Sequence, residues 1–319
     1  MTTSSRTNPT LLPLSRPDRG QRWRQALLGP RVAPYLFIAP FFILFALFFV
    51  YPVLWSMVLS FQKWSARETV WMGLSNYRFV VQQPVVHKAF ANMVWFIVFN
   101  NLFQLVIAMT IAVLIDSTFM RRFGGLLRVG YFMPHIVPSV VTAILFTIIL
   151  GGGGVSDRLL GLFDTRIPWL QSTTWSKPAI LLAGGWQWIG YWIVMLLAGL
   201  QGIPDEYYEA AEIDGATLRQ RFWYITFPLL RPVFLFVIIV NTIGTMQIFE
   251  YPYLMFGGGI GTAGGPLNSA TTPVLELYHM GFQSMELGAA SALGWLLAVL
   301  IIGVSIMQFS LARRRGWTE

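Results

Sequence analysis

The stretch that decides the fold is EAAEIDGATLRQRFWYITFP, Glu209 to Pro228, a polar island between two long apolar segments. Just before it, Pro204 suits the first turn of a helix, where its missing N–H costs nothing, and Asp205, Glu206 and Glu209 put negative charge at the positive end of the helix dipole. A short helix is expected to start here. Ala210 and Ala211 carry almost no side chain, which leaves that helix open to close approach by a partner surface. Gly215 permits a sharp turn that other residues resist. A second helical stretch is expected from Thr217 to Tyr224, ending before Pro228, which cannot continue it. Together these describe a rigid helix-turn-helix knob. The plain alternative is an ordinary surface loop joining two spans.

Hydrophobic residues make up 55% of the chain and charged residues 11%, too little charge to cover a soluble fold. Six segments are long and apolar enough to cross a bilayer, which takes about 20 helical residues. They are Pro34 to Phe61, Ala89 to Ile115, Leu127 to Leu150, Pro178 to Leu200, Leu229 to Tyr251 and Leu287 to Leu311. Before them, the Ser-, Thr-, Pro- and Arg-rich stretch Met1 to Arg31 reads as a disordered tail, and a cleaved signal peptide is disfavoured because the apolar run starts late and runs long. The expected organisation is a tail over 1–33 and a transmembrane domain over 34–319, with the polar loop at 201–228.

Positive charge orients the chain. With the amino terminus inside, the inner segments hold 15 Lys plus Arg and the outer segments 7 of the total of 22. Arg121, Arg122 and Arg128 flank the second and third spans, and Arg313, Arg314 and Arg315 close the sixth. Both termini and the Glu209 island are therefore expected in the cytoplasm. The net charge of +8 marks no nucleic-acid partner, because the basic residues lie in these flanks and form no continuous face.

The island resembles the coupling loop of ABC importer permeases: Glu-Ala-Ala, three residues, Gly, nine residues, then Ile-x-Leu-Pro. Glu209, Ala210, Ala211, Gly215, Ile225 and Pro228 occupy every fixed position but one, where Phe227 replaces Leu, and Asp214 precedes the glycine. The run from Gly185 to Val233, with RVGYFMPHIVPSVV at Arg128 to Val141, TMQIFEYPY at Thr245 to Tyr253 and the following GGGIGTAGGP, is similar to the carbohydrate-uptake, maltose-type branch. The resemblance implies an all-α membrane protein, the six-helix bundle of a type I ABC importer permease in a bacterial or archaeal plasma membrane. It also implies the partners: a second, homologous permease chain, two ATP-binding subunits that carry ATP and Mg, and an extracytoplasmic solute-binding protein that delivers a sugar. No P-loop G-x-x-x-x-G-K-[ST] occurs, so this chain binds no ATP phosphates by that device. No cofactor or metal site is expected in it.

In the fourth span, Trp186, Gln187, Trp188, Tyr191 and Trp192 are the candidates for sugar contact. Trp188, Tyr191, Trp192 and Met195 share a helical face that starts too deep for a headgroup belt, and aromatic faces stack on sugar rings. Asn100, Asn101 and Gln104 in the second span, and Asn241, Gln247 and Glu250 in the fifth, must face the bundle interior or water. Interhelical hydrogen bonding is the competing reading for the amides, and a salt bridge at the mouth for Glu250. The expected substrate path is Trp188, Tyr191, Trp192, Asn241, Gln247 and Glu250. His135, between Pro134 and Pro138, is expected to bond a carbonyl at a kink. Small residues from Gly288 to Gly294 predict tight helix packing, and the outer segment Phe61 to Lys88 is a candidate dock for the binding protein.

Three histidines, no cysteine and scattered carboxylates offer no nucleophilic or acid–base constellation, so an enzyme is disfavoured. A secondary transporter would carry internal repeats and midplane ionisable groups, which are not evident. A glycerol-phosphate or other polyol-derivative permease stays open. Few cations in the spans favour a neutral sugar.

Overall fold

The structure, a computed structural model, describes residues 32–64, 69–116, 124–259 and 263–317. The expected tail lies outside the described residues apart from positions 32 and 33, as do Arg121, Arg122 and part of the Gly-rich run after Phe256. Among the described residues, six helices are long and apolar enough to span a membrane: Pro34–Leu59, Pro84–Asp116, Ser139–Gly161, Ser176–Leu200, Leu218–Leu254 and Leu287–Arg314. They are numbered here as the first to sixth spans.

The chain divides into two compact units, Met1–Ser56 and Met57–Glu319. The described part of the first unit is apolar helix, in which Phe41, Phe45 and Phe49 stack at centroid distances of 6.0 and 5.0 Å. A π turn at Ala46–Val50, where the Tyr51 N–H reaches back to the Ala46 carbonyl, precedes Pro52.

The same device corrects one expectation in the second unit. Pro228 does not end the second helix of the island. Leu218–Arg221 runs through a π turn, Phe222–Thr226, straight into Phe227–Met246, so the fifth span is helical from Leu218 rather than from Leu229. Proline lacks an N–H and clashes with the carbonyl four residues back. The wider turn, in which the Phe227 N–H bonds the Phe222 carbonyl, loosens the ladder where Pro228 must fit.

The expected third span is two helices, Gly124–Ile136 and Ser139–Leu150, because Pro138 cannot donate and holds Val137 out of helical geometry. Elsewhere the second span begins five residues earlier than expected, at Pro84, and the fourth two residues earlier, at Ser176.

The core of the second unit joins the second, fourth and fifth spans through Leu105, Ala108, Ala112, Ile193, Leu196, Leu230 and Val237, all buried. Small residues set the closest crossings. A Cβ on Gly190 would collide with the Tyr131 carbonyl of the helix Gly124–Ile136, and one on Gly199 would meet Leu230 and Val233. The small-residue start of the sixth span packs within the chain: Gly288 lies against the Gln62 carbonyl and Asn76, and Ala289, Ala290 and Ala292 are buried beside Val80, Val86 and Met280. Gln62 belongs to a short hairpin of Gln62–Trp64 and Thr69–Trp71, the one sheet among the described residues.

Candidate functional site: a cavity among the second, fourth and fifth spans

The helix Ser176–Leu200 presents Gly184, Trp188, Tyr191 and Trp192 to a cavity of about 270 Å³. The second span supplies Phe96, Asn100 and Gln104, the fifth Asn241, Gly244, Thr245, Gln247, Glu250 and Tyr251, and the third Ser139. All six residues of the expected substrate path thus line one space. Met195, which shares their helical face, packs instead into the core.

The aromatics divide by what their polar ends do. Trp192 is buried and its Nε1 donates to Gln104 Oε1 at 3.0 Å. Trp188 is exposed and stands edge-on to Tyr191 at 6.2 Å, and both rings line the cavity. Among the described residues His135 makes no carbonyl bond, contrary to expectation: its ring packs 4.7 Å from Trp188 and 5.0 Å from Tyr191, and its buried Nδ1 has no partner there. The break at Pro138 leaves carbonyls for other residues to satisfy, and the fourth span does so. Gln187 Nε2 donates to the Val137 carbonyl at 2.6 Å, while Gln187 Oε1 accepts from the Tyr251 hydroxyl. Gln187 is therefore structural.

Below the cavity the amides bond one another across helices. Asn100 Nδ2 donates to Thr245 Oγ1 at 2.7 Å, Asn241 Nδ2 to Asn101 Oδ1 at 3.2 Å, and Asn101 Nδ2 and Gln308 Nε2 both to Thr242 Oγ1, at 3.2 and 3.0 Å. Buried amides in hydrocarbon require such partners. Asn241 thus both lines the cavity and ties the second span to the fifth. Glu250 has no ion-pair partner among the described residues, so the salt bridge weighed for it is not found there. Ser139, Gly184, Thr245 and Tyr251 were missed as lining residues. Gly184 had a readable signal, since it lies four and seven residues before Trp188 and Tyr191 on the same face.

The island forms a second candidate surface. Its first helix is Glu206–Ile213, with Pro204 just outside it rather than in its first turn. Gly215 adopts φ +73°, its N–H donates to the Glu212 carbonyl at 3.0 Å, and the Ala216 N–H donates to the Ala211 carbonyl at 2.9 Å. This paired cap closes the helix and needs the left-handed backbone that glycine supplies. Thr217 and Gln220 then form a capping box that starts Leu218–Arg221. Arg221 clamps the turn, its Nε bonding the Ala216 carbonyl at 3.1 Å and its guanidinium lying 3.5 Å from Glu212. Tyr208 and Thr226 hydroxyls meet at 3.0 Å, tying the first helix to the root of the fifth span. Glu209, Ala210, Asp214 and Gly215 are exposed, Ala211, Ile225 and Pro228 half-buried. Ile213 is 86%, Leu218 82% and Tyr224 80% exposed, an apolar patch on a braced turn.

Residues 104–317 match the family model described as the binding-protein-dependent transport system inner membrane component. Over 285 residues the chain is 34% identical to the lactose transport system permease protein LacF of Rhizobium radiobacter, covering 88% of this chain and 94% of that protein. Over 306 residues it is 30% identical to the arabinooligosaccharides transport system permease protein AraP of Bacillus subtilis, covering 95% and 96%. Among solved structures it resembles, with a TM-score of 0.77 and 21% identity over 93% of this chain and 99% of the other, a bacterial ABC transporter involved in the import of the acidic polysaccharide alginate. At that identity the likeness speaks for the fold.

Proposed function

Because the chain belongs to the binding-protein-dependent transport system inner membrane components, multi-pass permease subunits without catalysis of their own, we propose that it forms half of the solute path of an ATP-driven sugar or oligosaccharide importer. The cavity carries this reading: the exposed Trp188 and half-buried Tyr191 offer ring faces for stacking, ringed by Asn100, Gln247 and Glu250 for hydroxyls. LacF and AraP, named for lactose and arabinooligosaccharides, support the solute class. At about 270 Å³ the cavity falls short of the roughly 300–1,000 Å³ of complete small-ligand sites. A second permease chain completes it.

In this reading both termini and the knob at Glu209 to Pro228 face the cytoplasm. The apolar tip around Ile213 and Leu218 seats in one of two ATP-hydrolysing subunits, which hold ATP and Mg. ATP binding closes those subunits, draws the knobs of the paired permeases together and rocks the bundles; hydrolysis resets them. Only a contact that differs between the states can shift them, so a braced knob is required. On the outer side the hairpin and its groove of about 420 Å³, lined by Lys63, Trp64, Asn76 and Glu286, receive the solute-binding protein. The test is Trp188→Ala in the transporter reconstituted in liposomes. Sugar uptake should fall at least about tenfold with basal ATP hydrolysis unchanged, a loss of the order one stacking contact gives; unchanged uptake contradicts the reading.

A further inference from the structure

Lys63, Lys88 and Lys177 are the only lysines in the chain, and the expected topology puts all three outside, against the usual inward bias of positive charge. Two of them, Lys177 and Lys88, lie outside the cavity's lining, one and two helical turns before the lining residues Leu181 and Phe96. Lys177 lies in the first turn of the helix Ser176–Leu200, and the cavity residues Leu181, Gly184, Trp188 and Tyr191 follow it at helical spacing. It therefore extends the lining face outward by about 6 Å beyond Leu181. Its Nζ sits 5.1 Å from the centre of the Trp95 ring and donates to Asn92 Oδ1 at 3.4 Å. Lys88, one turn before Asn92, is its charged neighbour and donates to the Leu267 carbonyl at 2.6 Å. Asn92 is itself fixed by the carbonyls of Thr271 and Asn268, at 3.0 and 3.2 Å. Leu267 and Asn268 hold φ of 53° and 58°, a left-handed backbone that costs energy and persists only where the surroundings enforce it.

Each ammonium has three N–H donors. Among the described residues each of these two lysines bonds one acceptor, and neither has a carboxylate within ion-pair distance. Two like charges are thus tied to the same Leu267–Asn268 loop, Lys88 directly and Lys177 through Asn92, with Lys177 at a helix start whose dipole adds to it and with donors to spare. We propose that Lys177 and Lys88 form an anion-selecting collar at the outer end of the cavity, and that the solute is a saccharide bearing a carboxylate. This deepens the proposed function and rests on the cavity being the sugar path. A neutral sugar was expected because few cations lie in the spans; the fourth span begins at Ser176 rather than Pro178, which adds Lys177 to it. The solute's carboxylate bonds the collar while its hydroxyls reach Trp188, Tyr191 and Gln247. Tyr251, next to Glu250, packs on Gly184, about 10 Å along the helix from Lys177, so the solute's charge and Glu250 lie at different levels.

Calorimetric titration of the transporter assembled with its second permease chain, in nanodiscs, with digalacturonate and with lactose tests the collar. Digalacturonate should bind at least about tenfold more tightly, a charge-assisted preference. Lys177→Gln should abolish that preference, Lys177→Arg should keep it, and added salt should weaken it. Lys88→Gln, at an exposed position, should reduce it and covers the case in which the Lys177 variant fails to fold. Equal affinity for the two sugars, or a preference that survives both glutamine variants, overturns the collar alone. Binding of neither sugar overturns the collar and the sugar path together.

Discussion

Gln187 of the fourth span donates to the Val137 carbonyl, just before the third, at 2.6 Å and accepts from Tyr251 of the fifth. One amide thereby satisfies the backbone that Pro138 sets free and fastens three helices at the level of the cavity. Replacing Gln187 with Leu strands the Val137 carbonyl and the Tyr251 hydroxyl, each a loss of about 1–3 kcal/mol when buried. A double-mutant cycle with Tyr251→Phe, read by unfolding in detergent, should give a coupling of about 0.6 kcal/mol and at most ~1.7. Strict additivity would show that the two side chains do not act together.

Gly190 marks the tightest helix crossing. Its Cα faces the Tyr131 backbone, where an added methyl has no room and no flexible neighbour to displace. Gly190→Ala should lower stability by about 1–3 kcal/mol through overpacking. Gly303, where an added Cβ meets nothing within 4 Å, is the control, and its Ala variant should be neutral or slightly stabilising. Equal thermal stability of the two variants would contradict the crossing.

Gly215 is constrained by its backbone alone: an added Cβ would touch nothing within 4 Å, yet φ is +73°. Gly215→Ala should therefore cost about 1–2 kcal/mol of local strain and leave some transport. Gly215→Pro forces φ to about −65° and removes the N–H that caps the helix at Glu212. Uptake and solute-stimulated ATP hydrolysis should both vanish while the protein remains in the membrane. Normal uptake by the proline variant would count heavily against force passing through the turn.

The spans were legible because hydrocarbon demands long apolar helices and little else does. The cap at Gly215 was legible too, since glycine is the residue that takes positive φ cheaply. Pro228 misled because the rule against proline in a helix presumes the ordinary register, and nothing local in FWYIT announces a π turn. The carbonyl contact expected of His135 falls to Gln187 for a reason sequence cannot carry. Which side chain reaches a freed carbonyl depends on how two helices cross, and that crossing is set by Gly190. Lys177 was expected just before the fourth span, and a helix start two residues earlier puts its charge in the first turn. The convergence of Trp188, Asn241 and Glu250 came from a cruder and safer rule, that polar groups in a membrane turn away from lipid.

The central claim is that the knob at Glu209 to Pro228 faces the cytoplasm and meets an ATP-hydrolysing partner. The chain has no cysteine, so Ile213→Cys introduces its sole thiol, at a position 86% exposed on the tip. The most direct measurement is thiol crosslinking of that variant in intact and in opened cells. The predicted result is protection from impermeant reagent in intact cells and, once the cells are opened, a crosslink to the ATP-hydrolysing subunit that blocks uptake. Labelling from outside intact cells would contradict it.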